Sequence, residues 1–204
     1  QGRQRQELLL VTLLLALGCD TAPDPAGTGG ASGTSLGVQV ALYTAEGDGY
    51  DVLEPGADLE LWAAPQGGHW SRIGARVGGL GSDTAELVAR LIDPATGAVL
   101  AQASRTAPMI PTPGDPAFKH PDPSDMMHVV HLPMCPADDA RGVDGVSYRL
   151  ELEVTELYGA FSTGSVAIPI VPRCRQPAGA GLSHCQCECG PGYVPGKCAL
   201  PETG

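Results

Sequence analysis

Four side chains with soft or borderline donor atoms fall close together in the chain: Met126, His128, His131 and Met134, within the run Asp125–Cys135. Thioether and imidazole are copper ligands, so this segment has the composition of an envelope copper site. Its spacing argues the other way. On a regular strand over Met126–Pro133, His128 and His131 point to opposite faces, and only Met126 with His128, or Met127 with His131, share a side. Core and edge packing is the expected role, and a β-bulge is the feature that would bring a metal site together instead. Acidic runs at Glu46–Asp51 and from Asp138-Asp139 to Asp144 hold oxygen donors suited to calcium. The first lacks the alternating Asp/Asn pattern and distal Glu of an EF-hand loop, so solvated turns are expected.

The cysteines form the second group. There are seven, an odd number for a protein of an oxidising compartment. Cys185, Cys187, Cys189 and Cys198 crowd together beside His184. Their spacing departs from the C-x2–4-C of structural zinc, which leaves a two-disulfide knot of open pairing as the expectation and zinc as the rival. Cys135 precedes a strand at 146–155 and Cys174 follows one at 164–171. If these strands pair as a hairpin, a Cys135–Cys174 bridge is geometrically reasonable.

Nucleophilic chemistry has one candidate. Gly33-Thr34-Ser35-Leu36-Gly37 fits G-x-S-x-G, but that pattern needs a strand-to-helix elbow, and here it precedes the first strand in a Gly/Ser/Thr/Pro-rich stretch. No phosphate-binding loop, zinc-protease helix or convergent Ser/His/Asp set appears. The expectation is a protein that is not an enzyme and carries no cofactor.

These residues ride on strands. Val146–Thr155 alternates strictly, with Val146, Tyr148, Leu150, Leu152 and Val154 on one face and polar side chains on the other, the mark of a half-buried antiparallel strand. Val38–Thr44, with Val38, Val40 and Leu42 inward, and Ala57–Ala63, with Leu59 and Leu61, repeat the pattern. Trp70–Val77, Thr84–Ile92, Ala98–Ser104, Met126–Pro133 and Gly164–Val171 bring the count to about eight. Pro55-Gly56, Gly67-Gly68, Gly78-Gly79 and Asp93–Gly97 separate them as turns. The Pro-rich stretch Pro108–Pro123 reads as a long connection, with Phe118, Lys119 and His120 as a contact surface or a rigid connector.

The fold expectation is all-β: an antiparallel β-sandwich of about 7–8 strands over residues 37–174, with another antiparallel barrel as the alternative. The strand count and the Leu91–Leu100 hairpin resemble bacterial immunoglobulin-like domains, although the Cys–Trp–Cys pattern of antibody domains is missing. In the tail, residues 175–204, Cys187-Glu188-Cys189-Gly190-Pro191-Gly192-Tyr193 with Cys198 resembles the C-terminal half of an EGF-like module.

The N-terminus gives an address. Arg3 and Arg5 precede the apolar run Leu8–Leu17, too short for the roughly 20 residues of a membrane-spanning helix. Ala16-Leu17-Gly18-Cys19 resembles the lipobox of bacterial lipoproteins, although the Leu preferred three residues before the Cys stands four before it, at Leu15. The resemblance implies a signal peptide at 1–18 and a lipid on Cys19, and it leaves six cysteines for three disulfides. Residues 19–36 then serve as a disordered tether. Leu200-Pro201-Glu202-Thr203-Gly204 matches the LPxTG signal that sortases cleave after the Thr, here Thr203; localisation is not rested on it. The net charge of −11 argues against nucleic acid. Taken together, these features point to an exported protein, held by lipid in the bacterial cell envelope, that binds a protein or glycan partner at the cell surface.

Overall fold

The computed structural model describes residues 35–43, 50–137 and 140–198. The export signal, Cys19, nearly all of the tether, most of the first acidic loop, Asp138-Asp139 and Thr203 lie outside the described residues. Ten strands carry the fold: β1 (Gly37–Tyr43), β2 (Tyr50–Val52), β3 (Ala57–Ala63), β4 (His69–Gly78), β5 (Thr84–Ile92), β6 (Val99–Thr112), β7 (Asp115–Pro121), β8 (Val130–Cys135), β9 (Tyr148–Glu156) and β10 (Thr163–Cys174). Among the described residues, a 3-10 turn covers Met126–His128, and one helix, α1, covers Ala180–Cys189.

All-β architecture is as expected, but the pairing closes on itself. The order β4-β3-β10-β9-β5-β6-β7 returns to β4 through a β4–β7 pairing, so seven strands make a ring rather than two separate sheets. Two features permit this closure. β6 pairs β5 up to Pro108 and β7 from Met109 onward, so one long strand turns the corner. β4 is shared by four neighbours: β3 then β1 along one edge, β8 then β7 along the other. All pairings are antiparallel except β3 with β10, which is parallel.

The clearest sequence alternation holds residue by residue. Tyr148, Leu150, Leu152 and Val154 of β9 are fully buried, as are Leu59 and Leu61 of β3, and all belong to one core. Leu36, placed in the tether by sequence, is also buried in that core. At about 25 cal/mol per Å2 of apolar area, this continuous interior dominates stability.

The Pro-rich stretch is a correction. Pro108–Pro123 is not a connection but the end of β6, a two-residue turn and β7. Pro113 sets the first turn position and Gly114, at φ 79°, supplies the left-handed one that a type II turn demands. His120 is buried, with Nδ1 2.7 Å from the Pro121 carbonyl and its ring against Tyr50. Lys119 reaches the Ser82 carbonyl and Asp83, and Phe118 lies under Arg76. These three therefore serve internal packing rather than a free contact surface. Met126–His128 forms the 3-10 turn instead of a strand because the Asp125 carboxylate accepts from the Met127 amide at 2.8 Å and caps it.

The tail differs most from expectation. Its disulfides are Cys135–Cys189, Cys174–Cys185 and Cys187–Cys198, so Cys135 and Cys174 are not joined to each other. Each instead holds α1, whose Cys185 and Cys189 share a face at i, i+4. The loop before β9 completes the docking, since the amides of Val143 and Asp144 both donate to the last helical carbonyl, Cys189. A Cβ on Gly142 would overlap the Gly190 backbone, so only glycine lets the loop approach this closely.

Candidate functional site

The outward-pointing side chains of β4 run Trp70, Arg72, Gly74, Arg76, Gly78, and each meets an aromatic or planar partner. Arg72 stacks on Trp62 of β3 with its guanidinium carbon 4.5 Å from the ring centroid, and Arg76 stacks on Phe118 at 4.0 Å. The Tyr43 ring lies over Gly74, where a methyl group would overlap it, and its hydroxyl donates to the Pro121 carbonyl at 2.7 Å. Burial pushes the Tyr43 phenol well above its ordinary pKa, so it stays a donor. Most of this outer belt is closed by the chain itself.

At one end the belt opens. The turn at Pro65–Gly68 sets Trp62 directly opposite Trp70 across the β3–β4 pair. Trp70 in turn packs on His131 of β8, ring centroids 4.2 Å apart. Trp62, Ala63, Pro65, Trp70, Arg72 and Met126 line a cleft of about 220 Å3. The two tryptophans are half-buried, and Met126 is exposed.

The unpartnered buried polar atoms beside this cleft are of one kind. Arg72 is only 6% exposed, yet its Nε and Nη2 have no hydrogen-bond partner, and the same holds for Trp62 Nε1. All three are donors. Burial lowers the Arg72 pKa from its ordinary value, and Glu60 on the neighbouring strand opposes that shift. Burial, with Arg105 and Arg72 nearby, also lowers the His131 pKa, against the hydrogen bond to Met126. A neutral His131 donates from Nε2 to the Met126 carbonyl at 2.8 Å. The clefts over β9 and β10 differ in this respect: Arg90, Glu151 and Glu153 there already pair with Glu153, Arg149 and Arg90 respectively.

The sequence-stated candidates separate. Met134 packs in the core, Met126 is exposed, and His128 lies 3.7 Å from its own cap Asp125, while His131 is committed to Trp70 and Met126. The four are not gathered around one point. Cys135, Cys174, Cys185, Cys187, Cys189 and Cys198 are all taken up in disulfides, which leaves no thiolate for the zinc rival. Asp144, in the second acidic run, accepts from the Cys174 amide at 3.0 Å. Ser35, the Ser of the G-x-S-x-G pattern, is exposed just ahead of β1 and not on a strand-to-helix elbow. Sequence reasoning missed Trp62 and Arg72, although the Gly67-Gly68 turn between two strands was the signal that pairs Trp62 with Trp70.

No protein-family model, no curated protein and no solved structure matches this chain.

Proposed function

We propose that the chain is a cell-envelope lipoprotein whose β-barrel is a non-enzymatic binding module, with the Trp62–Trp70 cleft seating one saccharide-type ring. The observation that carries this reading is the set of unpartnered donors, Trp62 Nε1 with Arg72 Nε and Nη2, beside two aromatic faces. A ligand matched to them brings oxygen acceptors together with a flat, weakly polar C–H face. A sugar ring has both. Indole faces supply apolar area while the N–H supplies direction, and a few polar groups in an apolar cleft are the usual composition of a binding site. At about 220 Å3 the cleft lies below the roughly 300–1,000 Å3 of drug-sized pockets. One ring, such as the terminal unit of a longer glycan, is the occupant that fits.

Export and lipidation in this reading rest on the lipobox resemblance at Cys19. Three disulfides suit an oxidising, extracytoplasmic environment. The immunoglobulin-like resemblance of the body rests on its strand count and on the Asp93–Gly97 hairpin. In that hairpin Asp93 accepts from the Ala95 amide and the Thr96 hydroxyl. The EGF-like resemblance of the tail rests on the Cys187–Cys198 stretch.

Trp62 and Trp70 are the only two tryptophans of the chain, so its indole emission comes wholly from this site. Titration of that emission with neutral and uronic-acid mono- and disaccharides should give a saturable change. Trp62→Phe, which keeps Trp70 as reporter, should weaken binding about tenfold, equivalent to about 1.4 kcal/mol. Arg72→Lys, which loses the planar fork, should do the same. A flat titration across the whole panel would sink the saccharide reading.

A further inference from the structure

At the other end of β4 from the tryptophan cleft, three stretches of chain meet. Gly37 at the start of β1 pairs with Gly78 at the end of β4, and Leu36 lies where side chains on Gly79 or Gly164 would stand. The Ser82 amide donates to the Glu156 carboxyl group at 2.6 Å, which joins the β4–β5 loop to the β9–β10 hairpin. Residues 35–42, 77–82 and 157–165 hold no charged side chain, in a chain of net charge −11. Asp83, next in line, is paired with Lys119 at 2.8 Å.

The hairpin at this end presents two rings to solvent. Tyr158 is 67% exposed and Phe161 65%, the most exposed large hydrophobic side chains among the described residues. Phe161 is also the only non-glycine residue among them at positive φ, 51°. A bulky side chain adopts that left-handed backbone at a cost, whereas Gly or Asn adopts it readily. Local bonds hold it there: the Glu156 amide donates to the Ser162 carbonyl at 2.9 Å, and the Glu156 carboxyl group accepts from the Ser162 amide at 3.4 Å. An exposed ring on a strained backbone serves neither the core nor the turn, and such strain is characteristic of functional positions.

We propose that this end of the barrel rests on the bilayer, with Tyr158 and Phe161 seated in the headgroup region. Aromatic rings favour that layer, where the ring meets acyl chains and the phenol stays wet. An uncharged end can approach an anionic surface that repels the rest of an acidic chain. The inference rests on the lipoprotein reading of Cys19. Ser35 leads into β1 at this same end, sixteen positions after Cys19 and so at most about 55 Å of chain from it. For a domain already tethered the second contact is intramolecular, so two rings suffice where they would not hold a free protein. Trp70 lies eight positions along β4 from Gly78, about 26 Å, so the cleft faces away from the membrane and stays open to ligand.

The test uses the full chain in its membrane-bound form, with a phosphatidylcholine that carries a diazirine near its glycerol. After irradiation, peptide mapping should find the lipid adduct on the peptide holding Tyr158 and Phe161. The peptide holding Met126 and Met127, exposed apolar side chains at the cleft end, should carry none. Phe161→Asn should lose the adduct, and in the Cys19→Ser background its urea midpoint should stay level or rise, since Asn suits the left-handed backbone. Three results overturn the proposal and leave the lipoprotein reading standing: no adduct at the hairpin, whether water or another protein covers it; an equal adduct on the Met126–Met127 peptide; or a lowered midpoint for Phe161→Asn, which makes the ring part of the fold. An intact mass without lipid at Cys19 overturns both.

Discussion

Gly74 shows how much one absent atom decides. It sits in the middle of β4, a position where glycine is ordinarily a weakness. Here it lets the Tyr43 ring lie close against the outer face of the strand, and the ring's hydroxyl then ties β1 to the end of β7. Gly74→Ala should therefore force the ring aside and lower stability by about 1–3 kcal/mol, the usual cost of overpacking, read from the urea midpoint at constant m-value. Tyr43→Ala together with Gly74→Ala should cost less than the sum of the two single changes, because the clash needs the ring. Nothing in the sequence marks Gly74 for this role, since one-letter patterns record side chains and not the space left by their absence. Trp62 and Trp70 are different. They lie symmetrically about Gln66 in the Pro65–Gly68 turn, so their pairing follows from counting outward from the middle of that turn.

The strands that were legible share one property: one face of each is polar. β9 alternates Tyr148, Leu150, Leu152 and Val154 with Arg149, Glu151 and Glu153, and its register follows directly. β4, read from sequence as Trp70–Val77, is buried on both faces over most of its length, because the two arginines of its outward row, Arg72 and Arg76, are covered by the Trp62 and Phe118 rings rather than by water. β7 was hidden by its prolines, although Pro113-Gly114 is a turn signal in its own right. Helix α1 was hidden for another reason. It has no apolar stripe, and it is kept by bonds rather than by an amphipathic face, through Cys185 to β10 and Cys189 to β8. The unequal lengths of those bridged loops give an ordering. Loss of Cys135–Cys189, whose ends are separated by 54 positions, should cost about 4 kcal/mol, and loss of Cys187–Cys198, separated by 11, about 3. Paired Cys→Ser variants compared by chemical denaturation would show the order, and a smaller loss from the longer loop would contradict it.

At the scale of the whole molecule, closure of the seven-strand ring gives each of its strands two neighbours, so that among the described residues only the short outer strands β2 and β8 pair with a single strand, which suits a domain displayed at high local density on a surface. Whether it is displayed that way turns on Cys19, the residue whose lipidation would leave an even six for the three bridges. Cys19→Ser should move the protein from the membrane to the soluble fraction and remove the mass of the lipid; a variant that stays membrane-bound with unchanged processing contradicts the lipoprotein reading. The Cys135–Cys189 bridge also bears on such a display in mechanical terms. When tension is applied between the start of β1 and a point beyond Cys198, the load runs along β1 to β8, crosses one sulfur–sulfur bond to α1 and leaves through the Cys187–Cys198 bond. The 54-residue span between Cys135 and Cys189, with β9 and β10 in it, cannot pay out. At about 3.5 Å per residue, that withholds roughly 190 Å of reach. A tethered domain built in this way acts as a short leash with a locked reel.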